Sequence, residues 1–161
     1  MSKIYFTSDH AGFDLKNALV EHARTLGYDV EDVGPKELNS VDDYPDYVTP
    51  FAKKLAEEEG SLGCVVGGSG QGEAMCANRV SGIRAAVFYG ERPVTASLES
   101  DGGGSQDGYD IVRLARRHNN ANVLSIGARF VSAHEADEAL RVFLETSFSN
   151  ESRHVRRLGK F

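Results

Sequence analysis

Five short apolar runs of strand length, each separated from the next by a stretch of different period, constrain this chain more than any other feature. They are KIYFTS (residues 3–8), YDVEDV (28–33), LGCVVG (62–67), IRAAVF (83–88) and NVLSIG (122–127), mostly β-branched or aromatic in character. Helical faces lie between and after them. Leu15, Ala18, Leu19, His22, Ala23 and Leu26 share one side of a helix, as do Val48, Phe51, Ala52, Leu55 and Ala56, and later Ala136, Ala139, Leu140, Phe143 and Leu144. Pro45 suits a first helical position, Ser132 with Glu135 reads as a capping box, and a further helix is expected near Tyr109 to His118. Strand and helix in alternation predict a parallel α/β sheet of about five strands in a three-layer α/β/α arrangement, with right-handed crossovers. A ligand site in such a sheet belongs at the carboxyl ends of the strands. That places weight on Asp9 and His10 after the first run, the glycine loop after the third and Arg129 after the fifth.

The 161 residues fit one domain, 1–161, large enough to bury a core without disulfides or metal. Cys64 and Cys76 form no CxxC and no Cys/His ligand spacing, so they read as buried small hydrophobes in a reducing compartment, and Met75 as packing. No apolar run approaches the roughly 20 residues of a membrane span, and the start has no signal-peptide run, so a cytoplasmic protein is expected. A net charge of -6 argues against non-specific nucleic-acid binding. Positive charge is nevertheless concentrated in SRHVRRLGK (152–160), within a basic tail spanning 150–161. One connection is unusually long: residues 89–108, YGERPVTASLESDGGGSQDG, have the length and composition of a functional lid or a disordered insert.

The loop GGSGQGE (67–73) fails both phosphate-loop patterns: Glu73 follows Gly72 where a P-loop needs Lys, and it stands where the dinucleotide fingerprint needs its third glycine. What the loop supplies is a set of unobstructed backbone N–H groups at a helix start, plus the Ser69 hydroxyl, able together to hold an oxyanion. Glu73 would then either move a proton beside that oxyanion or merely complement the helix dipole, and spacing leaves both open.

The segments SDHAGFDLK (8–16), DYPDY (43–47), GGSGQGEAMCANRVSGIRAA (67–86), RRHNNANVLSIGAR (116–129) and SRHVRR (152–157) resemble, in order and over nearly the whole chain outside 89–108, the type B ribose-5-phosphate isomerases, a family that includes galactose-6-phosphate isomerase subunits. The resemblance implies a Rossmann-like fold, a dimer or tetramer with sites built from two chains, and metal-free, cofactor-free interconversion of an aldose phosphate and a ketose phosphate through an enediolate. Many members use a Cys base at the position of Gly67; lacking that thiol, this sequence resembles the branch in which the base is a Glu at the position of Glu73. On the same resemblance, Ser69 and the backbone around Gly68, Gly70, Gln71 and Gly72 would stabilise the enediolate. Asp9 and His118 would open the furanose ring, and Asn119 would contact substrate oxygens. His10, Arg129, Arg153 and Arg157 would hold the phosphate. His154 and Arg156 would only add positive field, and His22 and His134 would be structural. Ribose 5-phosphate and ribulose 5-phosphate are the leading pair; a four- or six-carbon sugar phosphate is the alternative, the long loop being the feature that would shift the preference. A non-catalytic sugar-phosphate or nucleotide-binding module would keep the fold alone.

Overall fold

Local periodicity is realised in a computed structural model that describes residues 3–98 and 107–160. Five strands, β1 (Ile4–Ser8), β2 (Val30–Asp32), β3 (Leu62–Gly67), β4 (Ala85–Phe88) and β5 (Val123–Gly127), form one all-parallel sheet in the order β2-β1-β3-β5-β4. The helices are α1 (Phe13–Thr25), α2 (Pro45–Glu57), α3 (Gln71–Ala77), α4 (Asp110–Asn119), α5 (Ala133–Glu145) and α6 (Ser152–Leu158). The edge strand β2 is shorter than its apolar run because it pairs with β1 alone.

Alternation along the strands sorts the core into two layers. Ile4, Phe6, Cys64, Val66, Leu124 and Ile126 pack against buried residues of α1, α4 and α5, including Leu19, Val112 and Phe143. Tyr5, Val65 and Val123 face the other way, onto Val48, Phe51 and Leu55 of α2 and Ala77 of α3. Each fully buried aromatic or aliphatic side chain contributes roughly 1.5–3 kcal/mol, so both faces are firmly seated on the sheet. Pro45 opens α2, and Ser132 and Glu135 make the capping box that starts α5.

Two expectations need correction, and a third feature, the tail, gains a structure. The buried face of α1 is rotated from the one its periodicity suggested: Val20 and Lys16 are buried while Ala18 is exposed and Leu26 is 48% exposed. Leu19, Val20 and Ala23 join the core on that side, and Lys16 is buried beside them with its Nζ 2.6 Å from Asp32 Oδ2. Met75 does not pack in the core; it is 67% exposed on the outer side of α3. The basic tail ends in a helix, α6, which packs on α4. Residues 89–98 of the long connection form neither helix nor strand, and the triple glycine 102–104 lies outside the described residues. No helix among the described residues is long and apolar enough to cross a membrane.

Candidate active site

From β1 the chain goes outward to β2 and returns to β3 on the other side, which opens a crevice at the carboxyl ends of β1 and β3. Asp9 enters it directly after β1. It is buried, and its Oδ1 accepts the Gly12 N–H at 3.1 Å, capping a single 3-10 turn (His10–Gly12) that leads into α1. His10 follows, partly exposed, with its Nδ1 2.6 Å from Asp42 Oδ1; the same oxygen accepts the His10 backbone N–H at 3.2 Å. A carboxylate behind one ring nitrogen fixes the ring and leaves Nε2 as the nitrogen available to a ligand. Asp42 lies 32 positions from its partner, immediately before DYPDY, and sequence reasoning missed it. Nothing in its neighbourhood distinguishes it from a solvated loop aspartate.

The glycine loop forms the other wall. Gly70 caps α3 with φ +73, a left-handed conformation that favours glycine, and the Ser125 hydroxyl of β5 donates to its carbonyl at 2.6 Å. Ser69 Oγ accepts the Gln71 N–H at 3.3 Å, which leaves its own O–H as a donor. Gly72 lies beneath the Tyr44 ring: a Cβ there would come within 2.8 Å of the phenol oxygen. Gln71 is exposed and borders a neighbouring cavity of about 790 Å³ with residues 87–98, Ile111 and Leu114.

Glu73 is buried in the first turn of α3, with 4% of its surface accessible. Gly67 makes the room: a Cβ on Gly67 would stand 2.0 Å from Glu73 Oε1 and 2.1 Å from its carboxyl carbon, so the carboxylate fills the space that any side chain at 67 would need. Burial raises the Glu73 pKa above the ordinary carboxylate range, and the Asp9 charge pushes the same way against the residue's own N–H, which lowers it. Desolvation therefore wins over the helix start. Across the loop, Arg129 donates its backbone N–H to the Gly68 carbonyl at 3.1 Å and lays its guanidinium over Gly68.

One crevice thus gathers Asp9, His10, Gly67 to Glu73 and Arg129. The remaining expected site residues are elsewhere. The chain runs from α4 straight into β5, so His118 and Asn119, at the end of α4, sit at the start of β5, whereas the glycine loop packs at the end of that strand. A strand of five residues spans about 16 Å, which separates His118 from the crevice within this chain. Arg153 and Arg157 lie on α6, beside α4 and hence near His118; both are exposed, and Arg153 Nε is 2.9 Å from Glu151 Oε2. His154 does not simply add positive field: it is buried against the His118 ring, with centroids 4.1 Å apart, and burial lowers its pKa, helped by the charges of His118 and Arg153. His22 pairs with Asp137 at 3.2 Å on the surface between α1 and α5. No group of three or more His, Cys, Asp or Glu side chains placed to hold a metal ion occurs among the described residues.

A family model described as Ribose/Galactose Isomerase matches residues 4–102 and 107–161. Similar curated proteins include ribose-5-phosphate isomerase B of Mycobacterium tuberculosis, 35% identical over 156 residues that cover 97% of this chain and 85% of that protein. Another is the probable ribose-5-phosphate isomerase B of Mycoplasma pneumoniae, 36% identical over 157 residues covering 98% and 91%. Among solved structures, ribose-5-phosphate isomerase B of Mycoplasma genitalium with bound ribulose-5-phosphate superposes with a TM-score of 0.83 at 34% identity, covering 98% of this chain and 92% of that one.

Proposed function

The chain belongs to the ribose/galactose isomerase family and is an aldose–ketose isomerase of a phosphorylated sugar; we propose that it interconverts ribose 5-phosphate and ribulose 5-phosphate in the cytoplasm, with Glu73 as the proton carrier. The observation that carries the reading is the carboxylate buried in the space vacated at Gly67, a burial that raises its pKa and makes it a better base than a hydrated glutamate. A merely dipole-complementing glutamate has no need of such a pocket.

In this scheme Glu73 takes the proton from C2 of the open-chain aldose, the electrons shift into a C1–C2 enediolate with the charge on O1, the O2 hydroxyl proton passes to O1, and the same carboxyl returns its proton to C1, which leaves the carbonyl at C2. The Ser69 O–H and the backbone around Gly68, Gly70, Gln71 and Gly72 face the developing oxyanion. Before that step the furanose must open: of Asp9 and His118, one takes the anomeric hydroxyl proton while the other donates a proton to the ring oxygen. Asn119 contacts the sugar hydroxyls. His10, steadied by Asp42, joins Arg129, Arg153 and Arg157 on the phosphate.

Such a site needs two chains. Glu73 and His118 are at opposite ends of β5 in one molecule, and a two-fold dimer brings the end of one sheet to the beginning of the other. The wide separation supports a homodimer, or a tetramer of such dimers, with His118 and Asn119 supplied by the partner. The cavity bordered by Gln71 favours a second reading of chain length, in which a six-carbon phosphate extends toward residues 87–98.

The direct test is ketose formation from phosphorylated aldoses of four, five and six carbons, before and after exhaustive chelation. The five-carbon sugar should turn over fastest, and chelation should leave the rate unchanged. No ketose from any of the three would reduce the chain to a binding module.

A further inference from the structure

Helix α6 presents an unusual anchor. Ser152, Arg153, Val155, Arg156 and Arg157 are all exposed, and the fully buried side chain of the helix is an imidazole, His154, at 2% exposure. A helix that needs only to be seated does so more cheaply with an aliphatic residue, because burying an imidazole forfeits hydration that must be replaced. Part of the replacement is visible. Ser149 Oγ lies 3.0 Å from His154 Nδ1, and the Ser149 backbone N–H donates at 3.0 Å to the carbonyl of Arg117, the residue before His118. Ser149, His154 and the end of α4 are thus tied into one unit, and the His154 ring lies against the His118 ring at a tilt of 44°.

We propose that His154 is a positioning residue for ring opening: held by Ser149, its ring packs on His118 and fixes the imidazole orientation that meets the furanose. His118 stands on the last turn of α4, away from the crevice of its own chain, and its ring has to be aimed before a partner's substrate arrives. A rigid neighbouring ring contributes to that aim before binding. The inference rests on the ring-opening reading of His118, and the test separates the two.

The readout is the primary isotope effect of the proton transfer, measured with ribose 5-phosphate deuterated at C2. Ribose 5-phosphate is a furanose that must open before its C2 proton is taken, so a variant slowed at ring opening hides the C2–H cleavage behind the earlier step and its isotope effect on kcat falls toward one, whereas a loss of folded protein lowers the rate and leaves the parent's isotope effect. His154→Ala should lose about tenfold in kcat on ribose 5-phosphate with a smaller isotope effect than the parent. Ser149→Ala, which removes one hydroxyl and spares the packing, should show the same change in smaller measure, and Ser149→Thr should restore the parent's value. If His118→Ala loses the isotope effect while His154→Ala and Ser149→Ala keep the parent's value, the positioning role is overturned and His118 keeps its own. If His118→Ala itself keeps the parent's isotope effect, the ring-opening reading fails and the inference falls with it.

Discussion

Alanine at position 67 tests the central feature of the site with one methyl group. A Cβ on Gly67 would stand 2.0 Å from Glu73 Oε1, 2.1 Å from Cδ and 2.6 Å from Oε2. Non-bonded heavy atoms settle roughly 3.5 Å apart, so the carboxylate must retreat by about 1–1.5 Å. The backbone does not resist the change, since Gly67 is not among the glycines with positive φ and sits in an ordinary strand. The clash is with the far end of a flexible side chain, and the fold absorbs it. Misplacing a reacting group by about 1 Å costs on the order of 100-fold in rate. On the barrier that is about 2.7 kcal/mol. Gly67→Ala should therefore show kcat on ribose 5-phosphate reduced by about two orders of magnitude, KM within a few-fold of the parent and an almost unchanged thermal unfolding midpoint. Steady-state kinetics beside a melting curve settle the matter. A Gly67→Ala protein with kcat within about threefold of the parent would refute the argument that the vacated space is what places the base.

Glu73→Gln should abolish turnover while leaving substrate binding intact, and it should also stabilise the protein at neutral pH. The folded pKa of Glu73 lies above its unfolded value, so between the two the native state binds more protons, and stability falls as pH rises through that window. Glutamine removes this penalty; its advantage in melting temperature should be present above the raised pKa and vanish below the ordinary carboxylate range, and an advantage that persists in acid would point to packing instead. The activity of the parent enzyme should decline as pH falls through the same raised pKa, because the base is then protonated. Mixing Glu73→Gln with His118→Ala chains, each nearly inactive alone, should restore about a quarter of normal activity once subunits exchange, since half the dimers are mixed and each holds one intact site. No recovery after demonstrated exchange would place both residues in one chain's site. Arg153→Ala and Arg157→Ala should each weaken substrate binding by about 1.5–3 kcal/mol, the usual loss for a hydrogen bond to a charged group, and unchanged affinity in both would return α6 to the solvent.

The sequence by itself determined what depends on neighbours within a few positions. Strand-length runs and helical faces recovered all five strands and the long helices, and Ser132 with Glu135 capped α5 as their spacing required, because hydrogen-bonding period and capping are set locally. The carboxylate after a glycine loop was legible as either a base or a dipole partner, and no more. Tertiary structure decided between the environments. How readily Glu73 holds its proton depends on its burial in the space left at Gly67 and on the charge of Asp9 across the crevice, two contributions from separate strands. Asp42 meets His10 across 32 positions of sequence, and Lys16 can be buried on α1 with Asp32 at the end of β2 as its partner. The same holds for the tail: SRHVRR read as a basic segment in which His154 only added positive field, until α4 offered His118 as the surface on which His154 is buried. Burial and pKa are sums over everything that packs nearby, and a linear pattern contains only the terms that are close along the chain.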